Sequence, residues 1–321
     1  MIKFTIRRLL ITFPQLILLS VLVFILASLM PGDALSGLID PDIPREQLEL
    51  MRERLGLNNP WYIQYRDWIW AMVSEGDFGR SIFHQRPVMD LIGDRIWNTV
   101  WLSLMTVFFI YAIGLPLGLI SGRYNDTITD SIITGYTYLG FATPTFVFAL
   151  VLLYLFGFVW PIFPTSGSVR AGIPPGSLDY VLSKINHLVL PSLSVALIGL
   201  VGTVQYLRSG VIETKQKDYV ILARSKGVKE GKIYSRHIFR NSIIPIAAFF
   251  GYEITGLLGG SVIIEQIFGY PGMGRLFLES ISTRDYSVAN ILILFYGFLA
   301  IIGALLSDII LSIIDPRIRI K

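Results

Sequence analysis

Apolar and polar positions fall in long blocks along this chain, not at the short period of a strand or a surface helix. Six blocks are almost wholly apolar: 9–30, 99–121, 132–159, 188–207, 242–264 and 291–314. A helix needs about 20 apolar residues to cross the hydrocarbon core of a bilayer. Each block reaches that length or exceeds it, which leaves room for tilt or a break. Helices are expected because lipid offers no partner to a free backbone amide. A membrane barrel would show alternating segments of about ten residues, and none occur. The predicted fold class is an all-α integral membrane protein with six transmembrane helices.

Composition supports this reading. Hydrophobic residues make up 53% of the 321 and charged residues 16%, where soluble domains carry about 25% charged residues. Mean hydropathy is +0.61. Cysteine is absent, which excludes disulfides, thiolate metal sites and a cysteine nucleophile. His84, His187 and His237 are too far apart in sequence to suggest a metal site by spacing.

Charge changes the picture through its distribution. With the N-terminus inside, the inner segments 1–8, 122–131, 208–241 and 315–321 hold 3, 1, 9 and 3 Lys+Arg. The short outer loops 160–187 and 265–290 hold 2 each. Cytoplasmic loops carry the excess of basic residues, so both termini are expected in the cytoplasm. Lys3, Arg7 and Arg8 precede the first apolar run as they would in a secretory signal. The run is longer than a signal core and no A-x-A site follows it, so an uncleaved first span is expected.

The long outer segment 31–98 carries its own helical signals. Asp42 and Pro44 read as a helix start and Gly56 as a stop, with Leu48, Met51 and Leu55 at helical spacing between them. A second stretch, Pro60 to Val73, contains Trp61, Tyr62, Tyr65, Trp68 and Trp70. Trp and Tyr favour the headgroup level because an apolar ring carries a polar tip. These aromatics suit a small external subdomain that touches a delivery protein, or amphipathic helices resting on the bilayer or on the chain's own spans.

The most informative segment is 208–245. It reads Asp218-Tyr219-Val220-Ile221-Leu222-Ala223-Arg224-Ser225-Lys226-Gly227, then Arg236-His237-x-x-Arg240-Asn241 and Pro245. Val220 to Ser225 predicts a short helix, with Ile221, Leu222 and Ala223 offering an apolar side. Gly227 permits a left-handed turn that other residues resist. Arg224, Lys226 and Lys229 are available to acids on a partner.

This order resembles the cytoplasmic "EAA" loop of ABC-importer permeases, in the form found in the dipeptide, oligopeptide and nickel subfamily. Ile221 stands where the general pattern has an acid, and Pro245 falls later than that pattern allows; both departures match the subfamily's version. Further pieces follow in family order. They are Gly76-Asp77-Phe78-Gly79-Arg80-Ser81 with Arg86-Pro87-Val88, and Ala142-Thr143-Pro144-Thr145-Phe146 at a kink in the third span. After the fifth span come Gly260 to Glu265 and Ile267-Phe268-x-x-Pro271-Gly272-Met273-Gly274, then Arg284-Asp285-Tyr286 and Asp315-Pro316-Arg317.

The resemblance implies an oligopeptide permease B-type subunit and a type I importer permease fold. Residues 1–93 would form the first span and external segment, 94–314 the permease domain and 315–321 a cytoplasmic tail. It implies a second similar permease subunit, two cytoplasmic ATPases, an extracytoplasmic binding protein, a peptide substrate and surrounding lipid. In such proteins the loop helix docks in a groove of the ATPase and passes its closure to the spans. That assigns coupling to Asp218, Tyr219, Ile221, Leu222, Ala223, Arg224, Ser225, Lys226 and Gly227.

No catalytic or cofactor motif competes with this. The chain has no G-x-x-x-x-G-K-[ST] loop, so ATP and Mg are expected on partner ATPases and not here. H-E-x-x-H, G-x-S-x-G and T-V-G-Y-G are also missing, and nothing points to nucleic acid. Gly272 and Gly274 are expected to shape a tight external turn. Glu253 and Asp308 lie inside apolar runs, where charge is expensive. Glu253 reads either as a pathway residue or as a hydrogen-bonded anchor between helices or between permease subunits. Asp308 is near enough the inner interface to snorkel or to pair with Arg317. The rival class is an ion-gradient-driven carrier that would use one of these two acids for proton coupling.

Overall fold

Most of the expected spans become helices that overshoot their apolar runs, because polar flanking residues continue the turns. The computed structural model describes residues 2–28, 49–50, 53, 58–259 and 261–314. Of the helix expected between Asp42 and Gly56 only residues 49, 50 and 53 are described, all helical, and the tail from Asp315 lies outside the described residues.

α1 (Ile2–Ser28) carries an apolar stretch, Leu10–Leu26. α2 (Trp61–Trp70) continues into π-helical turns at Ala71–Glu75. α3 (Val88–Arg123) starts directly after Pro87, whose fixed φ suits entry to a helix and whose missing N–H is not needed there. α6 (Leu178–Thr214) is capped by Ser177, which accepts from the Tyr180 N–H at 3.1 Å. α11 (Tyr286–Ile314) closes the described chain.

The third expected span is broken in two. α4 (Ile128–Ala142) and α5 (Thr145–Leu153, with π-helical turns Tyr154–Val159) meet at 104°. Pro144 supplies the reason: it drives Thr143 out of the helical region, to φ −98° and ψ 119°. The fifth run divides as well, into α8 (Ile244–Leu258) and the short α9 (Val262–Ile267), followed by α10 (Met273–Ser282). Between α6 and α8 lie α7 (Asp218–Ser225) and a run of α- and π-helical turns over 230–242. Among the described residues, four helices are long and apolar enough to cross a membrane, or five if the bent pair counts as one span.

The bundle is held by close helix approaches. Gly114, Gly118 and Gly122 line one face of α3 against α6, where a Cβ on Gly118 would lie 2.9 Å from Leu207 Cβ and 3.0 Å from the Val204 carbonyl oxygen. In lipid no hydrophobic force pulls helices together, so small residues matter because they let backbones pack closely. α8 meets α11 in the same way, with Gly251 and Thr255 facing Gly303 and Ser307. Ser307 Oγ accepts the Tyr252 N–H at 3.1 Å across that contact. Gly297 of α11 receives Leu19 of α1.

α2 rests on the chain's own first helix. Tyr65 bonds Ser20 Oγ at 2.8 Å, and Phe24 packs against Tyr65 and Trp68 with ring centroids 5.5 and 5.8 Å apart. Trp61, Tyr62 and Trp70 stay exposed.

Candidate functional site

The segment singled out by its residue order folds into a helix presented at one end of the bundle. α7 is a two-turn element followed by Lys226 and by Gly227 at φ +72°. The Gly227 N–H bonds the Arg224 carbonyl at 2.9 Å and the Val228 N–H bonds that of Ala223 at 3.2 Å. These bonds satisfy carbonyls that a helix end leaves open. The turn expected at Gly227 is therefore present, and the positive φ explains its glycine.

The division of α7 differs in one residue from the expected apolar side. Val220 and Ala223 turn inward, joining Leu207, Val211, Ile233, Tyr234, Ile238 and Ile246 in one cluster. Ala223 shares the inner face because it lies three residues after Val220, nearly one helical turn. The apolar surface left outside is Tyr219, Ile221 and Leu222, exposed by 45%, 52% and 54%. A helix anchored by one face and apolar on the other is shaped to receive a partner.

Arg224 is paired within the chain, its Nε donating to Glu230 Oε1 at 2.7 Å. That hydrogen bond holds the Glu230 carboxyl below its usual range. A depressed carboxyl contributes above its unfolded pKa and loses that contribution as pH falls through the folded value, so acid loosens the turn after α7. Lys226 and Lys229 remain at the exposed rim.

Beneath this segment lies a polar junction that sequence reasoning missed. Arg208, near the end of α6, grips Asp130 of α4 with two bonds of 2.7 Å, from Nε and from the terminal nitrogen. Asp130 is 3% exposed and also accepts from Ser121, from the Asp126 N–H at 2.9 Å and from the Thr134 hydroxyl at 3.2 Å. Lys215 donates to the Gly122 carbonyl at 3.1 Å and to Asn125, and the Arg123 guanidinium lies 4.7 Å from the Tyr234 ring centroid. The signal available in sequence was Thr127-x-x-Asp130, an N-terminal capping pattern. Its distant partner was not readable.

Glu253 is half-buried in α8 and accepts a hydrogen bond from the Tyr111 hydroxyl of α3. Of its two sequence readings, an anchor between helices has a partner in this structure. Tyr111→Phe is expected to cost about 1–3 kcal/mol, because it leaves an acceptor without a donor. Glu253→Gln, which retains an acceptor for the hydroxyl, should cost less. Thermal unfolding of the purified variants checks the order, and equal melting temperatures would remove the anchoring role. Asp308 is half-buried in α11, and Arg317 lies outside the described residues.

At the opposite end, two of the remaining sequence pieces meet and a third is tied to α3. Asp285 accepts from Ser81 and from the Phe83 N–H at 3.3 Å, joining stretches 204 residues apart. Glu265 is fully buried and accepts from Thr99 at 3.0 Å and from the Arg275 N–H at 2.8 Å. The expected tight turn is there, but Gly272 is required for a different reason. Its backbone is extended at φ −105°, and a Cβ would lie 2.4 Å from Glu265 Cδ. The positive φ of the turn belongs to Gly269, at 52°. Among the described residues no group of three or more His, Asp or Glu is placed to hold a metal.

Comparison with known proteins supplies the context for this arrangement. The family described as "Binding-protein-dependent transport system inner membrane component" matches residues 114–320, and its N-terminal companion matches residues 1–104. The oligopeptide transport system permease protein AppB of Bacillus subtilis (strain 168) is 36% identical over 99% of this chain and 100% of its own length. A putative peptide transport system permease protein of Brucella abortus (strain 2308) is 34% identical over 95% of both chains. The glutathione transport system permease protein GsiC of Escherichia coli (strain K12) is 31% identical over the full length of both. Among solved structures, the MetNI methionine ABC transporter in its inward-facing conformations contains a chain with a similar fold. It covers 71% of this chain and 97% of that one at 14% identity, with a TM-score of 0.54.

Proposed function

Because this chain belongs to the family of binding-protein-dependent transport system inner membrane components, we propose that it is the peptide-translocating permease subunit of an ATP-driven importer. It crosses the cell membrane six times, with α1 and the bent pair α4–α5 each counted as one span and both termini in the cytoplasm. A second similar subunit completes the path. Two cytoplasmic ATPases bind ATP and Mg, and an extracytoplasmic binding protein delivers the peptide. This subunit does no covalent chemistry.

The observation that carries the reading is the full-length likeness to permeases named for oligopeptides and peptides. The exposed face of α7 supports the coupling role. Tyr219, Ile221 and Leu222 offer an apolar surface at an end rich in Lys and Arg, outside the apolar spans, where no lipid tail would cover them. In this reading Asp218, Arg224, Ser225, Lys226 and Gly227 frame that surface, and Ala223 anchors it from behind. ATP-driven closure of the ATPases would favour one arrangement of the spans over another, which is the differential stabilisation any such switch requires.

The test begins with gentle purification of the tagged chain from its native membrane. Walker-motif ATPases and a second permease chain should accompany it, and reconstituted complex should import peptide only with ATP. A chain that emerges alone and transports on an ion gradient would overturn the proposal.

A further inference from the structure

α6 passes through Lys215 into α7 within three residues. Any displacement of α7 therefore acts first on the last turns of α6. α4 lies against the same helix and is bonded to it at three levels. Arg208 grips Asp130, Gln205 Nε2 donates to Thr137 Oγ1, and the Tyr136 hydroxyl donates to the Leu197 carbonyl. Gly140 brings the two backbones close, since a Cβ there would lie 2.6 Å from Val201 Cγ2.

The lowest of these bonds is the most directional. A guanidinium holding both oxygens of a carboxylate fixes orientation as well as distance. Asp130 is shared with Ser121 at the end of α3 and with the Asp126 N–H in the turn before α4. One carboxylate thus joins α3, α4 and α6 just where α6 hands over to α7. The α3–α6 contact, by comparison, sets mainly aliphatic groups against glycine, with the Lys215 bond to the Gly122 carbonyl at its end.

We propose that Asp130 and Arg208 are the positioning pair that obliges α4 to follow α6, so that the broken span α4–α5 moves in step with nucleotide-driven motion of α7. This rests on the importer reading above. A pair that only stabilised the fold would lower complex yield, ATP turnover and uptake together. A positioning pair changes the ratio between the last two.

The experiment uses the whole complex in proteoliposomes, with Arg208→Lys, Asp130→Asn and the reversed pair D130R/R208D. Arg208→Lys keeps the charge but loses the fork, so it should assemble. Its ATP consumed per peptide imported should rise roughly tenfold, the size of a modest coupling energy. The reversed pair should recover part of that loss relative to Asp130→Asn. An unchanged ratio in Arg208→Lys overturns the proposal.

A second readout does not depend on transport. The chain has no cysteine, so Leu139→Cys and Phe298→Cys place unique spin labels on exposed positions of α4 and of α11, which among the described residues has no bond to the pair. Adding ATP should change their separation in the wild-type background and change it by less than half as much with Arg208→Lys. Equal changes in both would also overturn the proposal. A wild-type complex that imports nothing with ATP would instead sink the importer reading itself.

Discussion

Gly118→Leu should abolish recovery of the folded chain from the membrane, while Gly114→Ala should leave it close to wild type. The three glycines of α3 form a graded contact with α6. A Cβ on Gly114 would meet Leu200 Cβ and Thr203 Cγ2 at 3.3 Å each, a crowding that a small parting of the two helices relieves. At Gly118 the neighbours are Leu207 Cβ at 2.9 Å and the Val204 carbonyl oxygen at 3.0 Å. Neither can rotate away, because one is fixed to the backbone and the other is part of it. Overpacking a well-filled contact typically costs about 1–3 kcal/mol, and a leucine here adds four carbons where even one does not fit.

The helices would then have to separate, and the losses spread. Lys215 would leave the Gly122 carbonyl, and Asp130, held by Ser121 of α3 and Arg208 of α6 together, could not keep both. Membrane yield and thermal unfolding of the detergent-purified variants check the prediction. A Gly118→Leu chain that purifies in normal amount and melts with wild type would show that α3 and α6 do not pack this closely.

Leu222→Asp should separate assembly of the membrane subunit from engagement of the proposed ATPases. Leu222 is 54% exposed and lies outside the cluster that anchors α7. Its replacement should change the stability of the chain by no more than about 0.5 kcal/mol, as for other surface substitutions. In the proposed complex the same side chain enters an ATPase groove, where an unpaired carboxylate is costly. A loss of 2 kcal/mol or more, typical of an interface hot spot, corresponds to roughly a thirtyfold weaker docking. The variant should therefore melt normally, recover little ATPase and import little peptide. Val220→Asp is the contrast: Val220 is fully buried, so that change should destabilise the chain itself. Full ATPase recovery with Leu222→Asp would remove the exposed face from the docking surface.

Much of the architecture could be read before any coordinates. Apolar runs longer than a bilayer is thick are a local property of the chain, and the helices α3, α6, α8 and α11 appear where those runs predict them. Pro144 announced a kink because a proline acts on its own neighbours, although the size of the bend, 104°, did not follow from that. Gly227 was legible for the same reason: one residue sets the φ of one turn. The order of residues from Asp218 to Gly227 also identified the segment by resemblance.

What the chain by itself determined was thus its solvent, its long helices, the break at Pro144 and the turn at Gly227. Only the tertiary structure decided which of those residues face one another. Ala223 turned inward with Val220 because the cluster from α6, α8 and the 230–242 run fills that side of α7. Gly272, expected only to shape a tight turn, proved necessary to make room for the buried Glu265 carboxylate. Asp130 stood unremarked in the 122–131 segment until Arg208, 78 residues away, closed on it, and Glu253 had no partner in view until Tyr111, 142 residues away, supplied one. Hydrophobic length and backbone conformation are set by neighbours along the chain. A buried polar group must find its partner wherever packing brings one, and no spacing in the sequence records that meeting.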